Sequence, residues 1–342
     1  MRQVKVLIVE DSMVFSELLL RSLNEDPAIK VVAVARDPYE ARDAIMAYKP
    51  DVMTLDIELP KMNGIDFLRK LLPQYPIPVV VISALSDKVF DALQAGAVDF
   101  VAKPTPGSPQ QLDTFLRNEL PVKVKVASTA RLRNVNNTPF IHREYHEGGG
   151  SEERILAIGA STGGPEAIAA ILKELDSDIP GTVIVQHMPA GFTEMYAKRL
   201  DRQCMVHVKE ACDGDRVITG QVLLAPGGDR QMRVRKDAHG YRVEIKEGPR
   251  ENGHCPSVDV LFKSVAKAAG AGAIGVLLTG MGVDGAEGLE DMRRTGASTI
   301  GQDESTCVIY GMPKAAYDKG AVQYQEKLSD IAPRIYSLLL QT

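Results

Sequence analysis

Tryptophan is missing from the chain, and phenylalanine and tyrosine bring the aromatic share of its 342 residues to only 5%. With few flat rings and a net charge of -5, it lacks base-stacking platforms and the positive field that attracts nucleic acid or an anionic membrane. Cysteine is scarce too. Cys204, Cys212, Cys255 and Cys307 include no CxxC pair and none of the spacings used to hold zinc, so they read as reduced thiols. Long apolar runs are missing: the stretch 268–283 is broken by glycines and too short to span a bilayer. The charged, strand-like Val4–Val9 carries no mark of a signal peptide. The expectation is a cytoplasmic protein that neither binds nucleic acid nor inserts into a membrane. Its 44% hydrophobic and 25% charged residues suit an ordinary globular chain, and its length suits two domains.

In the first half, apolar runs at Val4–Val9, Val31–Ala35, Val52–Leu55, Val79–Ile82 and Phe100–Ala102 alternate with amphipathic segments. That alternation predicts a doubly wound parallel sheet covered on both faces, with functional groups at the carboxyl ends of its strands. Glu10 and Asp11 follow the first run, Asp56 the third, Ser83 the fourth and Lys103 the fifth. Three convergent carboxylates repel one another and call for a divalent cation with a taste for oxygen, such as Mg²⁺. A lysine and a hydroxyl beside them supply the countercharge and donor that a phosphoryl group needs, and Asp56 can accept such a group as an acyl-phosphate. The alternative for each carboxylate alone is a helix cap or a solvated loop residue.

Glu10-Asp11, Asp56 followed by Pro60 and Gly64, Ser83, and Phe100 ahead of Lys103-Pro104 resemble the response-regulator receiver domain. The resemblance implies a flavodoxin-like (βα)5 fold over 1–122, with Mg²⁺ on Glu10, Asp11 and Asp56 and a phosphoryl group on Asp56. It further implies that Ser83 and Lys103 contact that group and that Phe100 changes rotamer with it. Glu10 departs from the commoner aspartate but keeps the charge.

Periodicity fades over 123–152, where Asn134, Asn136, Asn137, Thr138 and Pro139 and then Gly148-Gly149-Gly150-Ser151 have the composition of a flexible linker. His142 and His146 stand one helical turn apart there, without an acidic or cysteine partner nearby, and read as exposed linker residues.

In 153–342 the apolar run Ile155–Ile158 leads into Gly159-Ala160-Ser161-Thr162-Gly163-Gly164-Pro165. A buried strand handing over to a helix would leave the Ser161 hydroxyl among small residues, beside free N–H groups and the positive end of a helix dipole. The plain alternative is a glycine-rich turn capped by Ser161 or Thr162. A phosphate-cradling loop fits less well, because the lysine of a P-loop and the spacing of GxGxxG are missing. Two more apolar runs end near chemistry: Thr182–Val185 before Gln186-His187, and Ile274–Leu278 before Thr279-Gly280-Met281-Gly282-Val283-Asp284. If these are neighbouring parallel strands, Ser161, His187 and Asp284 share one sheet edge and can act as nucleophile, base and orienting acid. The backbone N–H of Met281, or that of Thr162, then becomes a candidate oxyanion donor. His187 alone also reads as a structural histidine, and Asp284 between glycines as a turn residue. A rival set, His254, Ser257 and Asp259, is so local in sequence that its members are not expected to face one another as nucleophile and base.

Ile158–Gly164, Gln186-His187-Met188-Pro189, Pro256-Ser257-Val258-Asp259, Thr279–Ala286, Gln302-Asp303-Glu304 and Tyr310-Gly311-Met312-Pro313 resemble the catalytic domain of the chemotaxis protein-glutamate methylesterase (CheB) family. A receiver ahead of this domain is that family's own architecture. The resemblance implies a larger, mostly parallel α/β catalytic domain without a cofactor, and the roles of nucleophile, base and acid for Ser161, His187 and Asp284. It implies methyl esters of glutamyl side chains on chemoreceptor cytoplasmic domains as substrate, deamidation of receptor glutamines, and a chemotaxis histidine kinase as phosphate donor. Cys255 stands where the family commonly has arginine. A non-catalytic phosphorylation-dependent adaptor and a hydrolase of another ester stay open as alternatives.

Overall fold

A computed structural model describes residues 2–84, 86–105, 107–132 and 154–341. Two compact units divide the chain, Met1–Asn137 and Thr138–Thr342. The Gly148–Ser151 stretch and both linker histidines lie outside the described residues.

The first unit runs β1 (Val4–Val9), α1 (Met13–Glu25), β2 (Ile29–Ala35), α2 (Pro38–Tyr48), β3 (Val52–Asp56), α3 (Gly64–Leu71), β4 (Val79–Ser83), α4 (Lys88–Gln94) and β5 (Asp99–Ala102). Helical structure continues through α5 (Pro109–Thr114), a π turn (Phe115–Glu119) and α6 (Leu120–Ala127). All five strands are parallel in the order β2-β1-β3-β4-β5, the doubly wound flavodoxin-like arrangement. β3 and β4 are buried along their whole length, as continuous apolar strands sandwiched between helix layers must be. Each is one residue longer than the apolar run alone indicates, so Asp56 and Ser83 are the last residues of rigid strands.

The expected end of this domain at 122 falls inside a helix. Pro121 has no N–H for the helical ladder, and just before it the turn widens, with Leu120 N–H donating to the Phe115 carbonyl. The helix then resumes to Ala127 because Val124, Val126 and Ala127 are buried.

The second unit contains β6 (Ile155–Ala160), α7 (Gly164–Leu172), β7 (Thr182–Gln186), α8 (Phe192–Asp201), β8 (His207–Glu210), β9 (Arg216–Val217) and β10 (Gln221–Leu224). Next come the strands β11 (Arg230–Asp237) and β12 (Gly240–Glu247), then α9 (Val258–Ala269) and β13 (Ala273–Leu277). The chain finishes with α10 (Ala286–Arg294), β14 (Ser298–Gln302), α11 (Met312–Asp318), β15 (Tyr324–Glu326) and α12 (Leu328–Leu339). Seven strands form one parallel sheet, β15-β14-β13-β6-β7-β10-β8. The chain steps from β6 to β7 on one side, while β13 lies on the other, so the carboxyl end of β6 is a topological switch point where such sheets open a crevice. A small antiparallel sheet, β11-β12-β9, has no counterpart in the sequence expectations. Met232 and Val234 on β11 and Tyr241, Val243 and Ile245 on β12 point inward and join the core, a period-two pattern typical of a half-buried hairpin. Among the described residues, no helix is long and apolar enough to cross a membrane.

Candidate active site and a second acidic site

Three adjacent central strands, β13-β6-β7, deliver Asp284, Ser161 and His187 to one edge of the larger sheet. Ser161 directly follows β6. Its N–H donates to the Thr279 carbonyl (3.0 Å), and its own carbonyl accepts from Gly164 N–H (2.7 Å) and the Gln186 amide (3.0 Å). The same Gln186 amide also donates to the His187 carbonyl (3.1 Å), so one side chain ties the ends of β6 and β7 together. Gly280 presses against this turn: a Cβ there would lie 2.7 Å from the Ser161 Cβ and 2.4 Å from the Met312 sulfur, so a larger residue would force the Ser161 turn to shift.

His187 Nε2 lies 2.9 Å from Asp284 Oδ2. Its Nδ1 is buried and has no hydrogen-bond partner among the described residues. Asp284 is 1% exposed yet ringed by donors. Ser257 Oγ–H (2.7 Å), Asp259 N–H (3.2 Å) and the Asn252 amide (3.2 Å) reach Oδ1, while Val258 N–H (2.7 Å) reaches Oδ2. Burial alone would raise this carboxyl. The imidazole contact and the donors outweigh it and hold the pKa well below the usual carboxylate range. Three of the donors belong to the start of α9, which Ser257 caps by accepting from Val260 N–H, so the positive end of a helix faces the carboxylate. Asp259 is also fully buried, pushed up by desolvation and by its proximity to Asp284, and ties Asn252 (2.7 Å) to the Gly288 N–H (2.6 Å) at α10.

The rival set from the sequence is thus not a separate site. Ser257 and Asp259 support Asp284, and the His254 ring stacks on the His187 ring, with centroids 3.7 Å apart and planes 8° apart. Asn252 was not singled out by the sequence reasoning, because a lone loop asparagine has no pattern to betray it. Thr162 is buried, whereas Met281 is half exposed at the crevice, and its N–H donates to no group among the described residues. Cys255 is partly buried, which raises its thiol pKa.

A second cluster sits at the switch point of the first unit, where Glu10, Asp11 and Asp56 can each turn an oxygen to within 4.8 Å of the others. Asp11 is exposed and the other two are buried. Lys103 Nζ lies 2.5 Å from Asp56 Oδ2 and 3.1 Å from Glu10 Oε2. Burial and the neighbouring Asp56 charge raise the Glu10 pKa despite that lysine. Gly64 lets α3 meet the end of β3 closely, since a Cβ there would lie 2.5 Å from the Asp56 carbonyl. Ser83 is buried beside the cluster at the end of β4, and its carbonyl accepts from Lys103 N–H (2.7 Å). Phe100 is buried on β5, edge-on to Phe90 at 6.5 Å.

Comparison with known proteins agrees with both halves. Residues 156–335 match the CheB methylesterase family model, and residues 6–117 match the response regulator receiver domain. A protein-glutamate methylesterase/protein-glutamine glutaminase of Syntrophomonas wolfei is 57% identical over 342 residues, covering 100% of this chain and 99% of that one. The protein of the same name from Syntrophotalea carbinolica is 49% identical over 348 residues, covering 99% of this chain and 98% of that one. The crystal structure of the Thermotoga maritima CheB methylesterase catalytic domain superposes with a TM-score of 0.53 at 35% identity, covering 54% of this chain and 98% of that one.

Proposed function

Because this chain belongs to the CheB methylesterase family, with a response-regulator receiver domain ahead of the methylesterase domain, we propose that it is a phosphorylation-regulated protein-glutamate methylesterase. Its substrates are methyl-esterified glutamyl side chains on chemoreceptor cytoplasmic domains, and it also deamidates receptor glutamines. The observation that carries this reading is the His187–Asp284 contact at the strand edge that also bears Ser161.

An ionised Asp284 at Nε2 makes that nitrogen the N–H of the neutral imidazole and leaves the Nδ1 lone pair bare. Nδ1 is therefore the atom that takes the Ser161 proton, whereas in the chymotrypsin arrangement the acid occupies Nδ1 and Nε2 is the base. Ser161 Oγ attacks the ester carbonyl, and the oxyanion is met by the Met281 N–H, with Thr162 N–H as second candidate. The imidazolium returns its proton to the departing methoxide, releasing methanol and leaving an acyl-serine. Water then gives a proton to His187, attacks the acyl carbon and frees the glutamate carboxyl together with Ser161. From a glutamine substrate the leaving group is ammonia, by the same steps.

Asp56 is the phosphorylation site, with a chemotaxis histidine kinase as donor, and Ser83 and Lys103 contact the phosphoryl oxygens. Glu10, Asp11 and Asp56 fit a divalent cation, because the buried, mutually repelling Glu10 and Asp56 gain from one and all three supply the oxygen ligands Mg²⁺ prefers. Bound there, Mg²⁺ supplies charge neutralisation for phosphoryl transfer. Phe100 follows the state of Asp56.

The test is methanol release from methylated receptor. Ser161→Ala in the full chain is expected to lower turnover by roughly four to six powers of ten. Near-normal hydrolysis by that variant would refute the assignment.

A further inference from the structure

Asp284 holds one atom of the His187 ring, and Nδ1, the atom that must face Ser161 Oγ in the proposed mechanism, has no hydrogen-bond partner among the described residues. A single hydrogen bond tolerates some 30° of bending before it weakens appreciably. Tilt of that size would swing the Nδ1 lone pair off its target. A contact on the face of the ring is what can stop it, and the structure has one: the His254 imidazole lies parallel to His187 at 3.7 Å.

We infer that His254 is a positioning residue for the catalytic base, its ring face fixing the plane of the His187 imidazole. The inference rests on the Ser161–His187–Asp284 reading and adds a fourth side chain to it. His254 is itself well anchored. Its N–H donates to the Glu251 carbonyl (2.8 Å), and its carbonyl accepts from Glu251 N–H (3.0 Å). The fully buried Gln231 reaches the same carbonyl with its amide (3.4 Å) and accepts Ser257 N–H (2.8 Å) with its oxygen. One segment, 252–259, thereby grips Asp284 through Asn252, Ser257, Val258 and Asp259, and the imidazole through His254. Acid and base are held to each other by a common support, so their geometry survives small movements of the sheet edge. The stack also suits the chemistry, because an imidazolium forms as Ser161 loses its proton and an aromatic face is attractive to a cation.

The experiment uses the full chain, with methanol release from methyl-esterified receptor fragment and separate determination of kcat and KM. His254→Leu and His254→Gln both remove the ring, and either one that folds serves. Each is expected to lower kcat about three- to tenfold, the scale of a lost ring pair, with KM unchanged. His254→Phe restores a flat face and is expected within about twofold of the parent, on the same ring-pair scale. Parental kcat in the ring-less variants overturns the inference. So does a His254→Phe as slow as His254→Leu, since a ring nitrogen would then be what matters, and so does an effect confined to KM. Ser161→Ala run alongside separates the two levels: if it abolishes turnover while His254→Leu does nothing, only the positioning role falls. If it retains turnover, the triad beneath falls.

Discussion

Both units place a buried carboxylate at the switch point of a doubly wound sheet, and the two are treated in opposite ways. Asp284 is surrounded by fixed donors: a helix start, a serine hydroxyl, an amide and an imidazole. Its charge is satisfied by groups that cannot leave. Asp56 and its neighbour Glu10 accept one backbone N–H each, from Glu58 (3.1 Å) and Ser12 (3.2 Å), and otherwise share a lysine ammonium at the tip of a flexible chain, so part of their mutual repulsion stays unrelieved. A carboxylate ringed by backbone N–H groups is an orienting anion, closed to ligands. One countered by a movable lysine beside an exposed Asp11 has a partner that can be displaced, which is what the proposed exchange for a cation or a phosphoryl group requires.

The largest expected effect pits the two carboxylates directly. Asp284→Asn keeps the shape but replaces the anion, and its NH₂ group would confront donors that now point at oxygen. We expect methanol release to fall by about four powers of ten, the scale for the acid of a triad. Asp56→Asn is expected to leave basal hydrolysis within about threefold, far below that triad scale, and to abolish incorporation of phosphate from a phosphodonor. Equal losses of hydrolysis in the two variants would break the distinction between orienting and exchangeable sites.

Next in size is the support. Ser257→Ala removes a 2.7 Å bond to Asp284 and the cap of α9 at once. Stability to urea is expected to drop by about 1–2 kcal/mol, and kcat by about tenfold, as the acid loses one of its restraints. Loss of stability with unaltered kcat would show that α9 is held for folding alone.

These supports were the hardest part of the site to read from residues alone. Strand ends advertise themselves: an apolar run stopped by Asp56, Ser83, Ser161 or His187 is a local pattern. Asp284 at the edge of a run is legible in the same way, but its partners Ser257, Val258 and Asp259 precede it by 27, 26 and 25 residues, and Asn252 by 32. Only the docking of α9 beside β6 and β13 brings them together, and no periodicity encodes that. His254, Ser257 and Asp259 carry suggestive chemistry, but their closeness in sequence argues against a nucleophile–base set of their own. All three contact the His187–Asp284 pair. The β11–β12 hairpin carried a readable alternation, whereas the helix past Pro121 did not, because a widened turn evades the usual rule that proline ends a helix.

A smaller effect distinguishes the sites by acid. The pKa of Asp284 lies below its ordinary value of 3.8, so the stability it contributes is complete above about pH 3.8 and fades as pH falls further toward the folded-state value. One proton can contribute no more than about 1.4 kcal/mol per pH unit. Hydrogen exchange in β13 and α9 of the full chain, compared between pH 5 and pH 3, is expected to show this loss in the parent and a shallower one in Asp284→Asn. Identical slopes would mean that the donors around Asp284 do not favour its charged form.

The smallest effect belongs to the open site. A cation that binds the folded receiver and not the unfolded chain stabilises it by about 0.4 kcal/mol at a concentration equal to its dissociation constant, and by about 1.4 kcal/mol at ten times that. Mg²⁺ is therefore expected to slow hydrogen exchange in β1 and β3 and to leave β6 and β13 unchanged, because the carboxylate near those strands is already satisfied. Glu10→Gln removes one negative charge from the cluster, and with it part of the repulsion that the cation relieves. That variant should gain less from Mg²⁺ while being more stable without it. If Mg²⁺ instead protected the strands around Asp284 equally, the donors there would not be closing that carboxylate to ligands, and the contrast between the two switch points would not hold.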